Sequence, residues 1–157
     1  MVRVYGLLEE ASAWLRARGS TQWNPVYPLA RFGRDIEHGH VWHWTLGPRI
    51  AATVTLLPSR PEYYPPDVWA DRVTAWYLTR LAVARALSGQ SIGARLLGQI
   101  ETDARAAQVR ALRLDVSAEN RFLEQYYAAR GFRRVAAGDI FGTPSTFFEQ
   151  RLEGAAP

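Results

Sequence analysis

Six consecutive residues, Ser88-Gly89-Gln90-Ser91-Ile92-Gly93, carry the clearest chemistry in this 157-residue chain. They follow an apolar run, Leu78-Thr79-Arg80-Leu81-Ala82-Val83, and lead into a stretch with helical periodicity. A strand that turns through glycine into a helix aims several main-chain N–H groups at one point, because the first amides of a helix have no intrahelical partner. The helix dipole adds partial positive charge there, so the expected ligand is an anion, most simply a phosphate group. At about 100° per residue, Ile92, Gly93, Leu96, Leu97, Ile100, Ala104 and Ala107 share one stripe, Arg95, Glu101, Thr102 and Arg105 fall outside it, and Asp103 sits on its edge. The stripe is expected to face the core, with Gly93 allowing close approach at the helix start.

A second segment supplies proton chemistry: Asn120-Arg121-Phe122-Leu123-Glu124-Gln125-Tyr126-Tyr127-Ala128-Ala129-Arg130-Gly131-Phe132. Asn120 suits an N-cap, Phe122, Leu123, Tyr126 and Tyr127 have helical spacing, and Gly131 suits the left-handed position after a helix. A phenol stays protonated at neutral pH and can serve as a general acid. A tyrosine at helical spacing is also an ordinary core residue, and spacing alone does not choose between Tyr126 and Tyr127.

Composition narrows the chemistry further. The chain has no cysteine, which excludes disulfides, zinc-thiolate sites and a cysteine nucleophile. All 19 basic residues are arginine, so there is no lysine nucleophile. The run His38-Gly39-His40-Val41-Trp42-His43 has a metal-like look, but on a strand His40 and His43 point to opposite faces and no nearby carboxylate completes a set, so no metal is expected. The net charge of +4 comes from scattered arginines rather than a basic stripe, which argues against nucleic acid as partner. No apolar run reaches the roughly 18 to 20 residues that span a bilayer and no secretory pattern is seen, so no membrane is expected and a cytoplasmic enzyme fits.

The two segments, in this order, resemble the signature of the GNAT superfamily of N-acetyltransferases. Its pyrophosphate loop reads Q/R-x-x-G-x-G/A; here Ser88 stands for the Gln or Arg and Ser91 for the first motif glycine, while Gly89, Ile92, Gly93 and the Leu96-Leu97 pair remain. The second segment is similar to the family's N-x-x-A/L-x-x-x-Y-x-x-x-G-F. The resemblance implies acetyl-CoA as cosubstrate, with its pantetheine arm against the backbone of Leu81, Ala82 and Val83. The pyrophosphate then lies on the amides of Ser88, Gly89, Gln90, Ser91, Ile92, Gly93 and Ala94. It implies that Tyr127 contacts the cofactor and is the acid, and that Asn120 touches the cofactor besides capping its helix. Arg85 is near enough in sequence to meet a phosphate, or is simply a solvated charge. The general base stays open among Glu62, Asp67, His40, His43, Asp115 and a water chain.

The implied activity is direct transfer of an acetyl group to a primary amine of a small molecule or peptide. The alternative is a catalytically inactive acyl-CoA-binding sensor or interaction module, motivated by Ser88 and Ser91. Trp23, Tyr27, Trp42, Trp44, Tyr63, Tyr64 and Trp69 concentrate where the resembled family builds its acceptor pocket; they are read as packing, with some lining a groove for the amine. Monomer and homodimer both stay open.

These groups need a scaffold, and the expectation is one α/β domain over residues 1–157, with a mixed, mostly antiparallel sheet flanked by helices and splayed central strands. Residues 2–5 read as a first strand and 7–18 as a helix ending at Gly19. A second helix ending at Gly39 has Leu29, Phe32 and Ile36 on one side and Arg31 and Asp35 spaced for a surface pair. Residues 40–46 and 49–57 read as a hairpin through Gly47-Pro48, and residues 58–67, with Pro58, Pro61, Pro65 and Pro66, as loop. Residues 74–83 resume the sheet, and 111–116 alternate like a half-buried strand. Residues 132–137 and 146–152 are two last strands around a break at Gly142-Thr143-Pro144. Residues 154–157 are expected to fray, and an exposed C-terminal sheet edge could pair with another copy.

Overall fold

A computed structural model describes residues 2–69 and 71–152. In chain order the elements are α1 (Val2–Arg16), α2 (Leu29–Glu37), β1 (Val41–Leu46), β2 (Arg49–Leu57), β3 (Ala75–Val83), a 3-10 turn (Arg85–Leu87), α3 (Ile92–Ala106), β4 (Ala111–Ser117), α4 (Arg121–Ala128), β5 (Arg133–Ile140) and β6 (Thr143–Arg151). The strands form a six-stranded sheet in the order β1-β2-β3-β4-β6-β5. β1 with β2, β4 with β6, and β5 with β6 pair antiparallel, whereas β3 with β4 pairs parallel. The expected mixed, mostly antiparallel α/β sheet is therefore present. The parallel ladder runs from Ala75 with Ala111 to Leu78 with Leu114 and stops, so Leu81, Ala82 and Val83 lie outside it.

The chain packs as two compact units, residues 1–56 with 80–99 and residues 57–79 with 100–157. In the first, Val4, Leu7 and Leu8 of α1 pack with Phe32 of α2 and Ala82 of β3. The three α1 positions are three and four apart, so they form one apolar stripe. In the second, Tyr64, Trp69, Ala75, Tyr77, Ala111 and Phe147 form the core. Its rings meet edge to face, Tyr64 with Phe147 at 5.3 Å and 84°, and Trp69 with Tyr77 at 5.5 Å and 77°, the arrangement the ring quadrupoles favour. The proline-rich loop is irregular as expected, yet it delivers the buried Tyr64 ring, and Trp69 follows two residues beyond it.

Several local expectations are overturned. Residues 2–5 are the first turn of α1, not a strand: Val4 belongs to the stripe of Leu7 and Leu8, and a four-residue alternation cannot outweigh it. β4 is not half-buried. Arg113, the residue that produces the apolar-polar alternation, is only 2% exposed, because partners on three other segments satisfy it. Asp35 pairs with Arg80 of β3 rather than with Arg31. Phe122 is 73% exposed, so the buried face of α4 is carried by Tyr127 instead. Ala107 lies beyond α3 and is exposed. The last hairpin turns tightly at Phe141 and Gly142, both with positive φ of 53° and 82°, as two-residue turns require. Pro144 is then the second residue of β6, near the strand start where a missing N–H is tolerated. The C-terminal strand β6 lies between β4 and β5, so the edge strands are β1 and β5. The tail at 154–157 lies outside the described residues.

Candidate functional site

In the first unit, β3 delivers the chain to the glycine-bearing turn through a strained residue. Arg80 has φ of 55° in the middle of a strand, a left-handed conformation that costs an L-residue about 1–2 kcal/mol. Three side chains hold it there. Arg80 Nη2 donates to Asp35 Oδ2 at 2.8 Å, Nε donates to Thr55 Oγ1 at 3.2 Å, and the guanidinium stacks on Tyr27 at 3.9 Å. Tyr27 is itself pushed above the ordinary phenol pKa, first by burial, with Arg80 opposing and Asp35 reinforcing. Immediately beyond lie Leu81, buried Ala82 and Val83; the Ala84 N–H then bonds the Ala51 carbonyl at 2.8 Å and closes the strand.

The turn has the expected left-handed backbone, but not every expected amide is left for a ligand: the Ser88 and Gln90 N–H groups donate to the Arg85 and Leu87 carbonyls at 3.1 and 3.3 Å, because the 3-10 turn closes on itself. Gly89 has φ of 81° and Ser91 φ of 58°. Ser91 thus adopts, at a cost, the left-handed conformation that glycine adopts freely. The Arg95 N–H bonds the Ser91 carbonyl at 3.0 Å, so α3 starts on the turn. The N–H groups of its first turn are the ones that no helical carbonyl can reach. Ile92, Leu96, Leu97, Ile100 and Ala104 of the expected stripe are buried. If this backbone matters, Ser91→Gly should be at least as stable as the parent, whereas β-branched Ser91→Val should lose about 1–2 kcal/mol, read from urea midpoints. Equal stability of the two variants would contradict the strain assigned to Ser91.

In the second unit, α4 positions the phenols. Asn120 Oδ1 accepts the Leu123 N–H at 3.1 Å, so the cap expected from sequence is formed. Tyr127 is buried between Tyr126, 5.3 Å away at 88°, and Phe132, 5.5 Å away at 72°. Its hydroxyl makes no hydrogen bond to any described residue. Burial pushes its pKa well above the ordinary phenol value; Tyr126 and the Asp115 carboxylate push the same way and Arg130 opposes. Tyr126 is engaged differently: the Arg130 guanidinium lies 3.5 Å above its ring, and Arg130 Nη1 donates to its carbonyl at 2.7 Å.

Of the five candidate bases, Asp115 is the one whose charge is felt at Tyr127, and it accepts a hydrogen bond from the Tyr64 hydroxyl. Glu62, Asp67 and His43 are exposed, and His40 is half-buried with its ring 5.6 Å from that of His38. Leu81, Ala82 and Val83 and the stretch from Ser88 to Ala94 share one strand-turn-helix of the first unit, while Asn120 and Tyr127 share α4 in the second. Sequence reasoning missed the contact between Tyr64 and Asp115 and the hold on Arg80. Both join residues far apart in the chain, and no local spacing encodes them.

Residues 6–132 match the family model for the acetyltransferase (GNAT) family. The chain belongs to the GNAT acetyltransferase family. It is 35% identical over 139 residues to the uncharacterized N-acetyltransferase YesJ of Bacillus subtilis, covering 85% of this chain and 77% of that protein. A crystal structure of a GNAT family acetyltransferase from Listeria monocytogenes superposes with a TM-score of 0.78 at 25% identity, covering 96% of this chain and 88% of the other. One from Streptococcus agalactiae gives 0.80 at 19% identity, covering 94% and 87%, a likeness of fold. The protein is accordingly a GNAT-type N-acetyltransferase. Membership gives acetyl transfer as the class of activity. Among the described residues, no helix is long and apolar enough to cross a membrane.

Proposed function

We propose that this acetyltransferase moves an acetyl group from acetyl-CoA to a primary amine of a small molecule or peptide by direct attack, without a covalent acyl-enzyme, within a single functional domain. The observation that supports the reading is the left-handed Ser91, two residues after left-handed Gly89: although the motif glycine is absent, the backbone keeps a glycine-like path into α3, whose first amides, those of Ile92, Gly93 and Ala94, no helical carbonyl can reach. The residues present therefore suit a pyrophosphate. Leu81, Ala82 and Val83 offer main-chain groups for an extended arm, in the manner of an added strand. Asn120 adds a side-chain amide.

Acetyl-CoA would supply the acyl group as a reactive thioester. The chain's own task is then proton management. The amine must lose a proton as the new C–N bond forms, and the sulfur must gain one as the C–S bond breaks. Tyr127 holds a proton on its hydroxyl, and its raised pKa keeps that proton in place at neutral pH. That this hydroxyl has no hydrogen bond to a described residue supports its being kept for the reaction.

The test is calorimetry with acetyl-CoA, followed by a screen of amines, amino acids, antibiotics and peptide N-termini. Binding at micromolar concentration with transfer to at least one amine is expected. Folded protein that ignores acetyl-CoA at millimolar concentration would remove the proposal, and binding without transfer to any amine would point to a sensor.

A further inference from the structure

The chain departs from the family loop at Ser88, and the structure brings a guanidinium to that place from elsewhere. Arg85, on the 3-10 turn, donates from Nη2 to Ser88 Oγ at 3.4 Å. Both ends of Arg85 are held by α1: its main-chain N–H donates to Glu10 Oε2 at 3.0 Å, and its guanidinium lies 4.0 Å from the centre of the Trp14 ring. Glu10 and Trp14 are four residues apart, hence on one face of α1. One helical turn on, the Arg18 guanidinium also rests on Trp14, at 3.9 Å.

This cluster is short of negative charge. Among the described residues, neither Arg85 nor Arg18 has a carboxylate within ion-pair distance of its guanidinium. Arg85 Nε is buried without a hydrogen-bond partner there. The Glu10 carboxylate accepts from the Arg85 main chain and not from its guanidinium. Two like charges on one ring repel, and a desolvated donor without an acceptor is costly. An anion between the guanidinium and the turn would relieve both. A guanidinium fork matches phosphate oxygens, and stacking on Trp14 lowers the entropy lost in orienting it.

We propose that Arg85 is a phosphate ligand for the acyl-CoA, supplying from residue 85 the side chain that the loop lacks at residue 88. The inference rests on the reading of residues 88–94 as the pyrophosphate turn. Trp14 is then a positioning residue that holds the guanidinium over the turn.

Calorimetric titration with acetyl-CoA decides it, using the parent chain, Arg85→Ala, and the relocated pair Arg85→Ala with Ser88→Arg. Losing a charge-assisted contact should weaken the Kd of Arg85→Ala about 10- to 100-fold. The relocated pair should recover most of the lost affinity, which a merely structural role for Arg85 would not allow. Parent protein that binds while Arg85→Ala binds equally well overturns this inference and leaves the acetyl-CoA reading standing. So does failure of the relocated arginine to restore affinity. Parent protein that does not bind overturns both.

Discussion

Tyr127→Phe should lower kcat by about 100- to 10,000-fold, the range expected for loss of a general acid, while the Kd for acetyl-CoA changes by less than about twofold. The separation of the two parameters follows from the geometry. The ring contacts with Tyr126 and Phe132 survive in phenylalanine, and the hydroxyl makes no hydrogen bond to a described residue, so packing and stability should hardly change. What disappears is the proton. Its energetics are demanding: a free thiolate has a reference pKa of about 8.5 and a phenol about 10, and burial with the neighbouring Asp115 carboxylate pushes Tyr127 higher still. Full transfer before C–S cleavage would be uphill, so the proton is expected to move as the bond breaks. The sign of the shift also fixes the pH dependence. A raised phenol stays protonated up to and beyond its ordinary value, so Tyr127 should put no falling limb on the rate profile below about pH 10. Tyr126→Phe, one residue away and covered by Arg130, is the control and should retain turnover. An unchanged chemical step in Tyr127→Phe, measured by single turnover, would return that residue to the core and assign the proton to water.

How far the sequence showed this depends on the length scale of each interaction. The turn at residues 88–93, the cap at Asn120 and the buried stripe of α3 were legible, because each is set by neighbours within a few positions. Even Ser91 is instructive: its residue type argues against a left-handed turn, while its place beside Gly89 and before an amphipathic helix requires one, and the requirement wins. Residues 2–5 misled because four residues are too few to separate a period of 2 from one of 3.6. Arg113 misled more deeply. An arginine amid Leu112, Leu114 and Val116 reads as a solvent-facing strand position, since burying an unpaired guanidinium is prohibitive. The pairing that makes burial tolerable comes from residues 36 and 42 positions away, beyond the reach of any local pattern. Arg80 is the same lesson in the first unit. The apolar run from Leu78 to Val83 gives no hint that its one charged residue is held by Asp35 and Thr55, or that the strand twists at that point into a left-handed conformation. The acceptor was illegible for a related reason: Tyr64 and Trp69 are core, so counting aromatic residues in and beside the loop said little about a groove.

Arg113→Ala is expected to be the most destabilising single change in the second unit, at about 3–5 kcal/mol. Arg113 Nε donates to Glu149 Oε2 at 2.8 Å, Nη1 to the Tyr77 hydroxyl at 3.1 Å and Nη2 to Asp71 Oδ1 at 2.7 Å, with Trp69 packed 5.1 Å away. One side chain of β4 thereby ties together β3, β6 and the irregular segment that precedes β3. Truncation leaves a cavity and strands Glu149, whose side chain is only 10% exposed. Arg151 also contacts Glu149, at 2.6 Å, but is itself 48% exposed, so it pays more entropy and offers a more screened charge. Arg113→Lys keeps the charge but replaces three directed donors by one mobile ammonium, and should fall between the parent and Arg113→Ala. The decisive comparison is a double-mutant cycle by urea unfolding with Glu149→Leu. If the cost of Arg113→Ala comes mainly from a stranded carboxylate, Arg113→Met with Glu149→Leu should be more stable than Arg113→Met alone, because a matched apolar pair avoids desolvating a lone charge. Additive losses would mean that the cost is one of packing around Trp69 and Tyr77, and a loss below about 1 kcal/mol for Arg113→Ala would show that the network does not hold this unit together.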